Sequence, residues 1–452
     1  MATQNAQSSK LNSFLIILFL ALSAWPSLSH ASSSGTEVIH YEADIKPNLQ
    51  ARSLAGVVML TVQFAAESDT LTLNAGQLQI LSVREKRQRK MTPLSFTKSG
   101  SLLTIRLMRS KQVSRPISLR FIEVNYQGSP ALGITFLPEV SQIFTAFATS
   151  QWLPAMDAPN LRATFTLTLT APPDFQVVAN GARIRHVVDK AGNQITTWVN
   201  KAPMPTYLFG FAMGKFREVI DETAKPQLRY LAPMDFSSAQ IQQIFADTRS
   251  MIRFYETKAG IPFPIENYTQ VLVNARAAQE MAGFAVMGER YGKRVLENEK
   301  NTWLAAHELS HQWWGNSITN HRWTEFWLNE GLASFMNAAY FEHRYGQDEY
   351  LKHINAARSM VEKIRAEGND KPLIFPDWNA PTASDRSLAY DKGAYVIHLL
   401  RAELGEAAFW AGIKSYTQLN WGKAVKTDDF VTAMEAASGK KLTAFFAEWV
   451  YP

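Results

Sequence analysis

The 452 residues include 46 Lys and Arg against 40 Asp and Glu, a formal charge of +6, with 46% hydrophobic residues, 12% aromatic residues and no cysteine. Such a composition supplies a large core and, at this length, most simply two domains; so mild a charge gives no reason to expect a nucleic-acid partner. Lacking cysteine, the chain can form no disulfide and cannot be a thiol protease.

The N-terminus differs from the rest. Lys10 precedes an uncharged run from Phe14 to Trp25, followed by Pro26 and the small-residue pattern Ser29-His30-Ala31. That is the layout of a secretory signal peptide cleaved after Ala31. The run is shorter than the roughly 20 residues a spanning helix needs. The expectation is therefore an exported protein, periplasmic or secreted, with no transmembrane segment once residues 1–31 are removed.

Between residues 37 and 215 apolar residues recur with a period of two. Val58, Leu60, Val62 and Phe64 alternate with Met59, Thr61 and Gln63, and Ala163, Phe165, Leu167 and Leu169 alternate with threonines. Such alternation marks strands with one face on a core and one in water. Asn180-Gly181 is a hairpin turn pair, and the basic cluster Arg84 to Lys90 reads as a solvated hairpin loop. Residues 32–220 are thus expected to form an antiparallel β domain. After Asp221 to Pro226 the spacing turns helical. It predicts helices over 237–258, 301–314, 326–340, 387–404, 406–419, 427–437 and 442–450, within a second domain of residues 221–452.

The helix over 301–314 carries His307-Glu308-Leu309-Ser310-His311. At 3.6 residues per turn, His307 and His311 project within roughly 40° of each other, so both imidazoles can hold one metal ion. Glu308 lies about 100° round the helix. A further carboxylate comes in Asn329-Glu330-Gly331. Two imidazoles and one carboxylate leave a single Zn²⁺ ion open to water, the pattern of a catalytic rather than a structural site. His307, His311 and Glu330 are the expected ligands, and Glu308 the general base.

With these residues in place, the chain resembles the gluzincin zinc aminopeptidases of the aminopeptidase N and leukotriene hydrolase type. Trp323-Thr-Glu-Phe-Trp-Leu-Asn-Glu-Gly331 is similar to the family's third-ligand segment, and Tyr390-Asp-Lys-Gly393 to its catalytic-tyrosine helix. Trp152 to Pro159 and Pro203 to Leu208 look like landmarks of its N-terminal β domain. The resemblance implies an α+β multidomain fold: an N-terminal antiparallel β-sandwich-like domain, then a mainly helical thermolysin-like catalytic domain. It implies peptide or protein substrates, Tyr390 as donor to the reaction's oxyanion, and Glu325 as a residue orienting a ligand imidazole.

The match has a gap. The family's Gly-x-Met-Glu-Asn motif holds the substrate's free amine with its glutamate. Set against Gln279-Glu-Met-Ala-Gly283, that register puts Ala282 in the glutamate's place, with Glu280 and Glu289 out of step. A second anchor position falls on the uncharged Thr145. Met281 and Gly283 are then expected to line the cleft through their backbone. The chain also ends at Pro452, where larger relatives continue over the active site, so a more open cleft is expected. Three functions stay in play: an aminopeptidase with a rearranged amine site, an endopeptidase or atypical peptidase of the same mechanism, and a non-catalytic binding protein on the same fold.

Overall fold

The computed structural model describes residues 35–65, 69–107, 117–375, 378 and 381–451. The leader expected over 1–31 lies outside the described residues. The first domain is β-rich. Its main sheet has eight strands, and the strand Arg162–Ala171 shows the alternation read from its sequence, every second residue buried. Leu60, Val62, Phe165, Leu167, Leu71 and Ile105 share one core, which joins the main sheet to a smaller sheet containing Thr70–Asn74 and Leu102–Arg106. Burying each such side chain contributes about 1.5–3 kcal/mol. One pairing departs from the antiparallel expectation. Glu37–Asn48 runs parallel to Arg162–Ala171, a contact between segments far apart in sequence that period-two alternation cannot specify. The basic cluster sits on a hairpin of Gln79–Arg87 and Lys90–Pro93, and Arg84 there pairs with Glu123.

The second domain opens with a five-stranded sheet that the helical reading did not contain. Its first strand, Phe216–Asp221, pairs with Gln227–Pro233, so the new architecture starts before residue 221. Gln227–Pro233, Asn267–Val273 and Phe284–Gly288 run parallel, and Ala278–Gln279 closes one edge. Asn267–Val273 is buried along almost its whole length; strands covered on both faces lose the alternation that reveals a strand in a sequence.

The helices are α1 Ser238–Ile244, α2 Thr248–Ala259, α3 Glu289–Glu297, α4 Trp303–Ser310, α5 Trp327–Tyr345, α6 Gln347–Ala366, α7 Ala383–Ser387, α8 Gly393–Leu404, α9 Glu406–Leu419, α10 Thr427–Ser438 and α11 Thr443–Trp449. The single helix expected over 237–258 is therefore two. Ser237 caps α1 with a capping box, and Gly260 closes α2 in the left-handed region at φ +66°. Helices α3 and α6 were not expected. Between α7 and α8, residues Leu388–Lys392 form a turn of π-helix, a form that is rare and concentrates at functional sites. Among the described residues, no helix is long and apolar enough to cross a membrane.

Candidate active site

Helix α4 is buried along its length because Ala305, Ala306 and Leu309 pack into the domain core. Its polar face is buried as well: His307, Glu308 and His311 are 4%, 2% and 1% exposed. Burying such groups costs several kcal/mol unless they are partnered, and the partner of the two histidines is Glu330 in the first turn of α5. Its Oε2 lies 3.2 Å from His307 Nε2 and 3.4 Å from His311 Nε2, and the two nitrogens are 3.1 Å apart. Three donor atoms this close match the edges of a tetrahedron with bonds of about 2.0–2.1 Å, the lengths zinc makes to nitrogen and carboxylate oxygen. His311 Nδ1 lies 3.0 Å from the Trp314 carbonyl oxygen, which directs Nε2 inward.

Charge points the same way. Burial opposes a proton on His311, yet Glu330, Glu280 and Glu308 together raise its pKa to about 10. His307 is held down by burial and by His311 despite its bond to Glu330. Burial pushes the Glu308 carboxyl well above the usual range, with Glu280 and Glu330 adding to the effect. Three buried carboxyl groups around two imidazoles make a cavity short of positive charge, and a dication fits it. Among the described residues, His307, His311 and Glu330 are the cluster with converging metal-binding atoms.

Tyr390, on the π-helical turn, stacks on His307 at 5.8 Å between ring centres. Burial raises its hydroxyl pKa, and Glu330, Glu280 and Glu308 raise it further. Two glycines fix its place. A Cβ on Gly331, next to Glu330, would stand 2.9 Å from the Gly393 Cα at the start of α8. Only hydrogen at both positions allows the two backbones to meet there.

The Ala282 carbonyl is held by Asn180 of the β domain, 2.9 Å away. The carboxyl group in the site is that of Glu280, 2% exposed, its Oε1 without a hydrogen-bond partner. Burial raises its pKa to about 7, with His311 lowering it and Glu330 raising it. Glu289 is elsewhere, bonded to Asn274 and Lys293. The loop around Glu280 is held by side-chain amides. Asn316 binds the Glu280 carbonyl at 2.7 Å, Gln312 binds the Met281 carbonyl and the Gly283 N–H, and Gln279 binds the Tyr207 carbonyl. Met281 and Gly283 therefore belong to this clamp, and the polar groups expected to face the cleft are already bonded. Gly283 has φ +87°, the conformation that turns the chain back into its strand.

Glu325 also differs from expectation. Its carboxylate accepts from Thr427 N at 3.2 Å and so caps α10. Thr145 is enclosed in the β domain, where its hydroxyl donates to the Phe211 carbonyl and accepts from the Phe211 N–H. Sequence reasoning passed over Gln312, although it directly succeeds the metal motif, and read Asn180 only as half of a hairpin turn, whereas the strands flanking it belong to different sheets and its amide holds the Ala282 carbonyl.

Comparison with known proteins agrees with this geometry. The peptidase family M1 domain matches residues 244–449, and the peptidase M1 N-terminal domain matches residues 37–208. The chain belongs to peptidase family M1. It is similar to aminopeptidase 2, mitochondrial, of Saccharomyces cerevisiae, 24% identical over 91% of this chain and 46% of that one. It is likewise similar to probable aminopeptidase 1 of Saccharolobus solfataricus, 24% identical over 85% of this chain and 50% of that one. This M1 chain thus spans about half the length of the curated relatives it matches. The M1 zinc metallopeptidase of Deinococcus radiodurans has the same fold, with a TM-score of 0.77 and 22% identity over 95% of this chain and 96% of that one. The M1 fold carries the two-domain arrangement described above, β-rich and then helical; membership implies zinc, and His307, His311 and Glu330 are the residues whose converging atoms would hold it.

Proposed function

We propose that the protein is a zinc-dependent aminopeptidase that removes the first residue of short peptides. The observation that carries the reading is the buried, unpartnered oxygen of Glu280 beside the metal-binding cluster. A substrate ammonium is the partner that a carboxylate so placed requires. Zinc, one ion per chain in this reading, supplies a water acidified to near neutrality and a Lewis acid for the scissile carbonyl. Glu280 holds the α-ammonium and so places the first peptide bond over the cluster. Glu308 takes a proton from the attacking water and returns it to the leaving nitrogen as the C–N bond breaks. Tyr390 donates its hydroxyl hydrogen to the carbonyl oxygen as negative charge develops there. Support for short peptides comes from a mutant of the Deinococcus protein, described as bound to a Tyr-Ser-Ala substrate.

The test compares free and N-acetylated forms of one tripeptide with zinc-loaded protein. Release of the first residue from the free form alone is expected. Equal cleavage of both would move the reading to an endopeptidase, and cleavage of neither to a binding protein.

We also propose that the protein is exported, on the strength of the leader-like segment ending at Ala31. N-terminal sequencing of protein recovered outside the cytoplasm should then begin at Ser32, and a mature chain beginning at residue 1 or 2 would overturn the proposal.

A further inference from the structure

A cavity of about 700 Å³ has His307 and Tyr390 in its wall. From them it extends between α5 and α6. No residue of the 278–288 strand and loop lines it, and neither does Glu308. A peptide whose amine sits on Glu280 therefore sends the portion beyond the scissile bond into this space. Trp303, Phe341 and Ile354 give it apolar walls, while Ala338, Ala357 and Ala394 leave room between the helices. The volume exceeds the size of one side chain, so the backbone beyond the cleaved bond fits here too.

Its polar groups are unevenly distributed. Lys300 and Lys352 line it, but both pair with Glu349, at 3.0 and 2.8 Å. Asp391 and Asn337, 4% and 6% exposed, also line it, and each has a buried side-chain oxygen without a partner: Asp391 Oδ2 and Asn337 Oδ1. Buried acceptors are normally satisfied. Burial raises the Asp391 pKa to about 7, against a hydrogen bond from Ser387 that lowers it.

We propose that this cavity binds the residue after the scissile bond and selects a basic side chain, with the alkyl stem along Trp303 and Phe341 and the charged end on Asp391 and Asn337. The proposal rests on the aminopeptidase reading, since that reading sets the direction of the peptide. It makes Asp391 and Asn337 specificity-determining residues and disfavours an acidic side chain at the same place.

Three tripeptides test it: Leu-Arg-Ala, Leu-norleucine-Ala and Leu-Glu-Ala. Zinc-loaded enzyme should show kcat/KM at least about tenfold higher for arginine than for norleucine, because a polar site discriminates strongly against a ligand lacking the matching group. The glutamate peptide should be poorest. Asp391→Asn should bring the arginine-to-norleucine ratio close to one, and Asn337→Leu should reduce it by a smaller factor. Equal rates for arginine and norleucine, or a ratio unmoved by both substitutions, would overturn the proposal. Calorimetric titration of the same peptides into zinc-loaded Glu308→Gln protein reads the order without turnover. If no peptide is cleaved, the aminopeptidase reading fails, while the binding order and its loss in the Asp391→Asn, Glu308→Gln double variant still decide this one.

Discussion

Zinc-loaded Glu308→Gln protein is expected to keep its metal and lose about 10²- to 10⁴-fold in kcat, the range that a positioned general base contributes. The two properties separate because Glu308 is not one of the three converging donors, which come from His307, His311 and Glu330. Glutamine keeps the shape of the side chain in a space where Glu308 is 2% exposed, so packing changes little. What is lost is the ability to accept and return a proton. Metal analysis and steady-state kinetics on the same sample make the test. A zinc-replete variant within a few-fold of wild-type turnover would remove Glu308 from the mechanism.

Glu280→Gln is expected to lower kcat/KM on free-amine peptides while zinc content stays the same. Deleting one member of a buried, hydrogen-bonded charge pair costs about 2–5 kcal/mol, or roughly thirty- to several-thousand-fold at 1.36 kcal/mol per decade. Much of the loss should appear in KM if Glu280 mainly binds the ammonium, and in kcat if it mainly aligns the bond. Substitutions at Ala282 that preserve the loop should leave the reaction direction unchanged, because that residue contributes a carbonyl to the clamp and no carboxylate to the site. A change under threefold for Glu280→Gln would place the amine elsewhere.

How far the sequence revealed the site depended on whether a regular element carried the residues. His307, Glu308 and His311 sit on one helix, so a four-residue spacing by itself fixes their directions. Glu330 opens a second helix within a short motif. The loop from Glu280 to Gly283 has no period, and the Gly-x-Met-Glu-Asn register points to Ala282, whereas the buried carboxyl group beside the cluster is that of Glu280, two residues earlier. Its conformation depends on amides from Asn180, Gln312 and Asn316, and no local spacing encodes those. Glu325 failed for a related reason: its partner, Thr427, lies on α10.

Some of the missed architecture was legible. Helix α6 has Asp348 and Glu349 in its first turn, Lys363 and Arg365 in its last, and Tyr350, Ile354, Ala357, Val361 and Ile364 along its buried face. Those are ordinary start, stop and amphipathic signals. The parallel strands of the second sheet were a harder case, since burial on both faces makes them look like any apolar run.

The contact between Gly331 and Gly393 bears on how such a site survives sequence drift. Most distances inside a protein depend on the sizes of the side chains between the parts, so each core substitution can move them. Here the segment bearing the metal-binding Glu330 and the one bearing Tyr390 meet backbone to backbone. Their spacing is set by main-chain atoms, which every sequence shares. The surrounding aliphatic and aromatic residues are then free to change in volume and kind without altering the distance between the two reacting parts, as long as both glycines remain.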